Sequence, residues 1–159
     1  MIKNKKLACE FFYVFSRFEF ALKASGFVHS QNGVASPYWD EFAKSIDEKH
    51  KLEKLPSEDF QKSVEYFFSN PPKKQIVKEG KLEWKEVGES ELPTNFLKLL
   101  ALVRKVRNNF FHGGKFPSGP VHGSERDEFL LEYSLIILKE CLELNKGVKR
   151  IFEEEPSRW

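Results

Sequence analysis

The chain has 159 residues and a formal net charge of +2, with 31% charged and 14% aromatic residues, including 16 Phe. This length suits one domain with a single hydrophobic core. The small net charge excludes a uniformly basic nucleic-acid binder but leaves room for a local basic patch. Charged residues interrupt the N-terminal apolar run and no stretch is long enough for a membrane span, so we expect a cytoplasmic protein with no membrane partner.

The first half of the chain has the apolar periodicity of helices. A first helix is predicted from about Lys5 to Ala24, because its Phe and Leu residues recur at three- and four-residue steps. The polar segment 30–33 is predicted to be a loop. A second helix is expected to begin at Ser36 as the N-cap, with Pro37 at the first helical position.

Three further helices are expected, with one interruption. The third begins at Ser57 and ends before the proline pair at 71–72. Residues 75–87 break the helical pattern and predict a small β-hairpin or an ordered loop. A fourth helix is capped by Thr94, and the last begins at Ser124 with a capping-box-like start.

These elements predict an all-α fold, an up-and-down bundle of four to five helices with the hairpin or loop inserted between helices three and four. We expect a single helical domain over residues 1–152 and a loose tail over 153–159. Cys9 and Cys141 lie in apolar helical patterns without metal-ligand spacing, which predicts buried free thiols.

The segment with the most specific chemistry is Arg107-Asn108-Asn109-Phe110-Phe111-His112, followed by Gly113-Gly114-Lys115. An arginine can hold a phosphate through two parallel hydrogen bonds, and an imidazole can transfer protons near neutral pH. Residues 98–115 contain no Asp or Glu and carry five basic residues: Lys98, Arg104, Lys105, Arg107 and Lys115. The segment therefore indicates chemistry on a phosphodiester, with RNA as the favoured substrate.

The same residues also have a simpler interpretation. A Gly-Gly pair is an ordinary end to a helix, and the basic residues can form the solvated face of an amphipathic helix. Five residues along a regular helix rotate a side chain by about 140° from its starting face, so Arg107 and His112 would diverge. They converge more easily if the helix ends near residues 109–111 and the chain turns at the glycines.

The pattern Arg-Asn-x-x-x-His followed by Gly-Gly-Lys, on the fourth helix of a small helical bundle, resembles the HEPN superfamily (nucleotide-binding domains of higher eukaryotes and prokaryotes). The first-helix string at 15–23, Phe-Ser-Arg-Phe-Glu-Phe-Ala-Leu-Lys, is similar to its bacterial, plasmid- and defence-associated branches. The region around Trp84 is similar to them as well. The resemblance covers most of the chain.

This resemblance implies an RNA-cleaving enzyme that needs no metal or other cofactor and whose site is a composite cleft between two subunits. Arg107 would contact the scissile phosphate, His112 would act in proton transfer, and Asn108 matches the polar residue that follows the arginine. The implied reaction is attack by the 2′-hydroxyl, leaving a cyclic phosphate. Many members are toxins or abortive-infection proteins, some paired with a nucleotidyltransferase antitoxin, whereas others only bind or dock.

Three hypotheses follow from different functional classes. The first is a homodimeric, metal-independent endoribonuclease in a toxin or defence setting. The second is a non-catalytic RNA- or nucleotide-binding module, and the third is a protein-interaction domain. The residues expected to bind RNA are Arg104, Lys105 and Lys115, and the residues expected to support the site are Glu19 and Asn109.

Overall fold

The computed structural model describes residues 5–86, 93–112 and 125–154. Within these residues the chain is dominated by helices, with 66% helical content. The helices are α1 (Lys5–Ala24), α2 (Trp39–Asp47), α3 (Glu58–Ser69), α4 (Phe96–Phe111), α5 (Glu125–Glu143) and α6 (Lys146–Glu153), with a short 3-10 turn at Leu52–Lys54. The strands are β1 (Val28–Gln31), β2 (Val34–Pro37), β3 (Lys74–Lys78) and β4 (Lys81–Lys85).

The predicted all-α class is wrong, because two antiparallel hairpins, β1–β2 and β3–β4, make this a helix-dominated α+β fold. The hairpin expected within 75–87 is confirmed as β3–β4. The other hairpin replaces the loop predicted at 30–33. Its tip is Asn32-Gly33, with φ values of 53° and 79°. Positive φ at both central residues matches the tight hairpin turn that an Asn-Gly pair favours, so this signal was present in the sequence.

The predicted start of the second helix is also wrong. Ser36 and Pro37 lie in β2, where they are opposite His29 and Val28, and α2 begins at Trp39. Proline is tolerated in a two-stranded hairpin because a strand at an edge need not donate every backbone hydrogen bond. A Ser-Pro pair is therefore compatible with both a helix start and an edge strand, and pairing with β1 decides between them.

The ends of the other helices differ from the prediction by small amounts. Ser57 is confirmed as the N-cap of α3, since its hydroxyl accepts from the Phe60 N–H at 3.2 Å. Asn95, not Thr94, caps α4 and accepts from the Lys98 N–H at 3.1 Å. Helix α6, capped by Asn145, follows the last predicted helix and was not expected, so six α-helices are described where four to five were predicted.

Two predicted features fall partly or wholly outside the described residues. The helix start at Ser124 is one, and most of the tail at 153–159 is the other. Glu153 is the last residue of α6 and so belongs to a helix. Among the described helices, none has the length and apolarity needed to cross a membrane.

One cluster of buried apolar side chains forms the core. Helix α1 packs against α5 and α6, α3 packs against α5, and α2 packs against α4. The largest fully buried rings are Phe11, Phe18, Phe42, Phe60, Phe67 and Phe96. Cys141 belongs to this buried core as expected, but Cys9 is exposed because it lies on the outer face of α1, so the prediction for that thiol is wrong.

Candidate functional site

Helix α4 carries the Arg107–His112 segment and is anchored at its start by α2. The Asp47 carboxylate, at the end of α2, accepts from the backbone N–H groups of Phe96 and Leu97 at 2.9 and 3.3 Å. A carboxylate there satisfies N–H groups that have no partner within the helix and interacts favourably with its dipole. The buried side of α4 includes Leu99, Leu102, Val103, Val106 and Phe110. This packing fixes the rotation of the helix about its axis.

Arg107 is half-buried between α4 and α1. Its Cζ atom lies 4.7 Å from the centroid of the Phe111 ring and 5.6 Å from that of Phe15. One guanidinium nitrogen donates to the Asn108 side-chain oxygen at 2.9 Å. The cation–π contacts orient the guanidinium, and the hydrogen bond to Asn108 uses one of its five N–H donors. Arg107 is therefore a positioned cation that keeps donors for an anionic ligand.

His112 is exposed at the C-terminal end of α4. Its backbone N–H donates to the Asn108 carbonyl at 3.0 Å, and its ring meets the Phe111 ring edge-on at 5.3 Å between centroids. Because α4 is regular through Phe111, Arg107 and His112 leave the helix about 140° apart. Both contact the Phe111 ring, but in the described part of the chain no hydrogen bond joins them.

The two asparagines have different roles. Asn108 is exposed and accepts the bond from Arg107 described above. The Asn109 side chain donates to the Lys73 carbonyl at 2.7 Å, just before β3. Asn108 therefore belongs to the arginine site, whereas Asn109 ties α4 to the second hairpin.

The structure does not bring the three basic residues predicted to bind RNA together with Arg107 as one group. Arg104 forms a surface ion pair with Asp40 of α2 at 3.4 Å. Lys105 is half-buried on α4, and Lys115 lies outside the described residues. Exposed ion pairs are weak, so Arg104 can exchange Asp40 for another anion at small cost.

Glu19 accepts a hydrogen bond from the indole nitrogen of Trp39 at 3.1 Å. Trp39 is buried and stacks on Phe18, with 5.1 Å between the ring centroids. Glu19 was predicted to support the site, and an ion pair with Arg104 or Arg107 is one way for a carboxylate to do so. Arg104 pairs with Asp40 instead, and among the described ion pairs none links Glu19 to Arg107.

A pocket of about 300 Å³ brings Glu19 and Arg107 to one site between α1 and α4. Its other lining residues are Phe12, Tyr13, Phe15, Ser16 and Phe111. Tyr13 and Phe111 are each 62% exposed at its rim. This volume is at the lower end for small-molecule sites, and the mixture of apolar walls with a few polar groups is typical of them.

Sequence reasoning missed the α1 residues Tyr13 and Ser16. Residues 12, 16 and 19 follow helical spacing, so one face of α1 lines the pocket. The pattern was visible, but aromatic residues at helical spacing usually belong to a core. Only the tertiary contacts of Phe12 and Phe15 with α4 side chains distinguish the pocket from the core.

No protein-family model, curated protein or solved structure matches the chain. The resemblance to the HEPN superfamily therefore remains a prediction from the motif and the order of helices.

Proposed function

We propose that this protein is a metal-independent endoribonuclease whose site is centred on Arg107 and His112. The observation that carries the proposal is the positioned guanidinium of Arg107, which lies at a pocket and keeps N–H donors for a phosphate. An exposed imidazole stands against the same Phe111 ring, at the end of the same helix. A cation and a proton-transfer group so placed suit chemistry on a phosphodiester.

In the proposed reaction, the ribose 2′-oxygen forms a bond to the adjacent phosphorus and the bond from phosphorus to the 5′-oxygen breaks. The 2′-hydroxyl loses its proton and the departing 5′-oxygen gains one. The products are a 2′,3′-cyclic phosphate and a 5′-hydroxyl. Arg107 would stabilise the negative charge on the phosphoryl oxygens, and His112 would transfer a proton.

The proposed active form is a homodimer. Within one copy, Arg107 and His112 point about 140° apart, so a second copy offers a way to place an arginine and a histidine on one phosphate. Phe111 at the site and Phe20, two helical turns beyond Tyr13 on α1, expose apolar surface, with exposed fractions of 62% and 53%. Exposed aromatic residues of this kind are common in protein interfaces.

A non-catalytic RNA-binding module is the second candidate. The observation that favours it is the separation of Arg107 from His112, because a phosphate can bind to the arginine without any proton transfer. This candidate predicts salt-sensitive RNA binding without a product. The two candidates differ in the expected effect of removing the His112 imidazole. Its loss abolishes RNA cleavage by the endoribonuclease but changes the RNA affinity of the binding module little.

The test is cleavage of a single-stranded RNA by the purified protein in excess EDTA, with the product ends identified. Arg107→Ala and His112→Ala are each expected to lower the cleavage rate by about 100-fold or more, as loss of a transition-state donor or of an acid–base group does elsewhere. The matched controls are Arg150→Ala and His29→Ala, both exposed and away from the pocket.

The outcomes separate the candidates. Loss of a 2′,3′-cyclic phosphate product in both site variants, with activity kept in both controls, supports the ribonuclease. RNA binding that is lost in Arg107→Ala, with no cleavage product from the wild type, supports the binding module. If the wild type neither binds nor cleaves RNA, both candidates are contradicted and the protein-interaction hypothesis is left. Growth arrest on induction of the wild type, absent with His112→Ala, would support the toxin or defence setting in the cytoplasm.

A further inference from the structure

The pocket beside Arg107 has functional groups that phosphate binding does not need. A phosphate needs cations and N–H donors, yet the opposite wall of this pocket carries the Glu19 carboxylate and the rim carries the rings of Tyr13 and Phe111. A carboxylate repels phosphate but accepts hydrogen bonds from N–H groups. Exposed aromatic rings stack on the flat faces of unpaired bases.

We propose that this pocket is a nucleobase subsite that selects guanine in single-stranded RNA next to the phosphate held by Arg107. This inference rests on the proposed ribonuclease function and names its substrate class. The base would stack on Tyr13 at the rim, and Glu19 would accept hydrogen bonds from its Watson–Crick edge. Stacking requires an unpaired base, so double-stranded RNA is excluded.

The position of Glu19 is set by buried aromatic packing. The Trp39 indole, which is buried against Phe15 and Phe18, donates to Oε1 of Glu19 at 3.1 Å. A carboxylate offers about four acceptor sites, and this bond occupies one of them. The Trp39 contact therefore orients the carboxylate and leaves acceptor capacity toward the pocket that Glu19 lines.

Guanine is selected because of the order of donors along its edge. Guanine presents two adjacent donors, N1–H and the N2 amino group, which can bind the two oxygens of one carboxylate. Adenine and cytosine each place a ring-nitrogen acceptor beside the amino donor, and uracil places its single N–H between two carbonyls. Bidentate, charge-assisted pairs are among the stronger hydrogen bonds and discriminate between bases by about tenfold or more.

The experiment measures binding of guanosine, adenosine, cytidine and uridine 3′-monophosphates to the full chain by calorimetry. The nucleotides contain no phosphodiester to cleave, so the result does not depend on catalysis. Guanosine 3′-monophosphate is expected to bind about tenfold more tightly than the other three. Glu19→Gln should remove this preference, because an amide presents one donor and one acceptor and still accepts from Trp39.

Two further variants act as controls. Glu10→Gln removes the same charge from α1 at an exposed position paired with Lys139, and it should leave the preference unchanged. Tyr13→Ala should weaken all four nucleotides by about tenfold while keeping their order, since stacking is tolerant of base identity.

Equal binding of the four nucleotides, no binding at millimolar concentration, or a guanine preference that survives in Glu19→Gln would each overturn the base subsite. Failure of the subsite and failure of the ribonuclease remain distinguishable. Cleavage without base preference contradicts the subsite alone, whereas guanine-selective binding without any cleavage contradicts the ribonuclease alone.

Discussion

Two half-buried arginines, Arg17 and Arg107, occupy similar surroundings in different regions of the molecule. Arg17 lies at the junction of α1 and α6, with its Cζ atom 5.9 and 6.0 Å from the ring centroids of Phe20 and Phe152. Its guanidinium also donates to the backbone carbonyls of Phe152 and Glu154 at 2.6 and 2.7 Å. Arg107 has the aromatic contacts, but its described hydrogen bond goes only to the neighbouring Asn108.

The difference shows how to distinguish a structural arginine from one available to a ligand. The donors of Arg17 satisfy the carbonyls at the end of α6, which have no partners within that helix. Arg107 lines a pocket, and its described hydrogen bond uses one of its five N–H donors. Aromatic contact alone does not separate the two cases, because it orients a guanidinium in both. The two cases are separated by the acceptors that the guanidinium N–H groups bind.

The largest effect on stability is expected from Arg17→Ala. The change removes two charge-assisted hydrogen bonds and the contact with two rings, so we expect the free energy of unfolding to fall by about 2–3 kcal/mol. Urea denaturation followed by circular dichroism measures this. Arg104→Ala, which breaks only an exposed ion pair, should change stability by less than about 1 kcal/mol. Equal losses in the two variants would mean that Arg17 does not hold α6 in place.

A second prediction tests whether Arg17→Ala weakens the packing of α6 against α5. Burial raises the pKa of the Cys141 thiol, with Glu140 and Asp47 adding to the shift, so the reactive thiolate is scarce while α5 is packed. At neutral pH a thiol reagent should therefore modify exposed Cys9 first and Cys141 only after an opening of the fold. Arg17→Ala should speed the modification of Cys141 by about tenfold, because α6 packs against α5.

Arg107→Ala should leave the rate of Cys141 modification almost unchanged. An acceleration as large as that of Arg17→Ala would mean that both arginines hold the fold closed. Peptide mass spectrometry separates the two cysteines, and the Cys9 rate in the same sample serves as the internal reference.

Arg107→Ala is expected to affect stability much less than Arg17→Ala does. It removes cation–π contacts at a partly exposed site, so the free energy of unfolding should fall by about 1 kcal/mol or less. The same substitution is expected to lower the rate of RNA cleavage by about 100-fold or more. A loss of stability as large as that of Arg17→Ala would indicate that Arg107 serves mainly to hold α4 against α1.

Much of the fold followed from local patterns. The apolar periodicity of α1 predicted both of its ends, and Ser57 marked the start of α3. The errors occurred where one local signal fits two structures. Ser36-Pro37 resembles a helix start but pairs with β1, and the Asn32-Gly33 pair fits both an open loop and a tight hairpin turn. Cys9 was expected to be buried because it sits in an apolar run, yet it lies on the outer face of the helix.

For the candidate site, the sequence by itself determined the chemical groups, namely an arginine followed by an asparagine and a histidine at the end of a helix. It did not determine which donors remain for a ligand, because that depends on partners distant in the chain. Only the side-chain contacts of α1 with Arg107 and Phe111 of α4 placed Glu19 and Arg107 on one pocket, and only the bond from Trp39 to Glu19 oriented the carboxylate. Residue types follow from the sequence, whereas hydrogen-bond partners and exposure are properties of the packed chain.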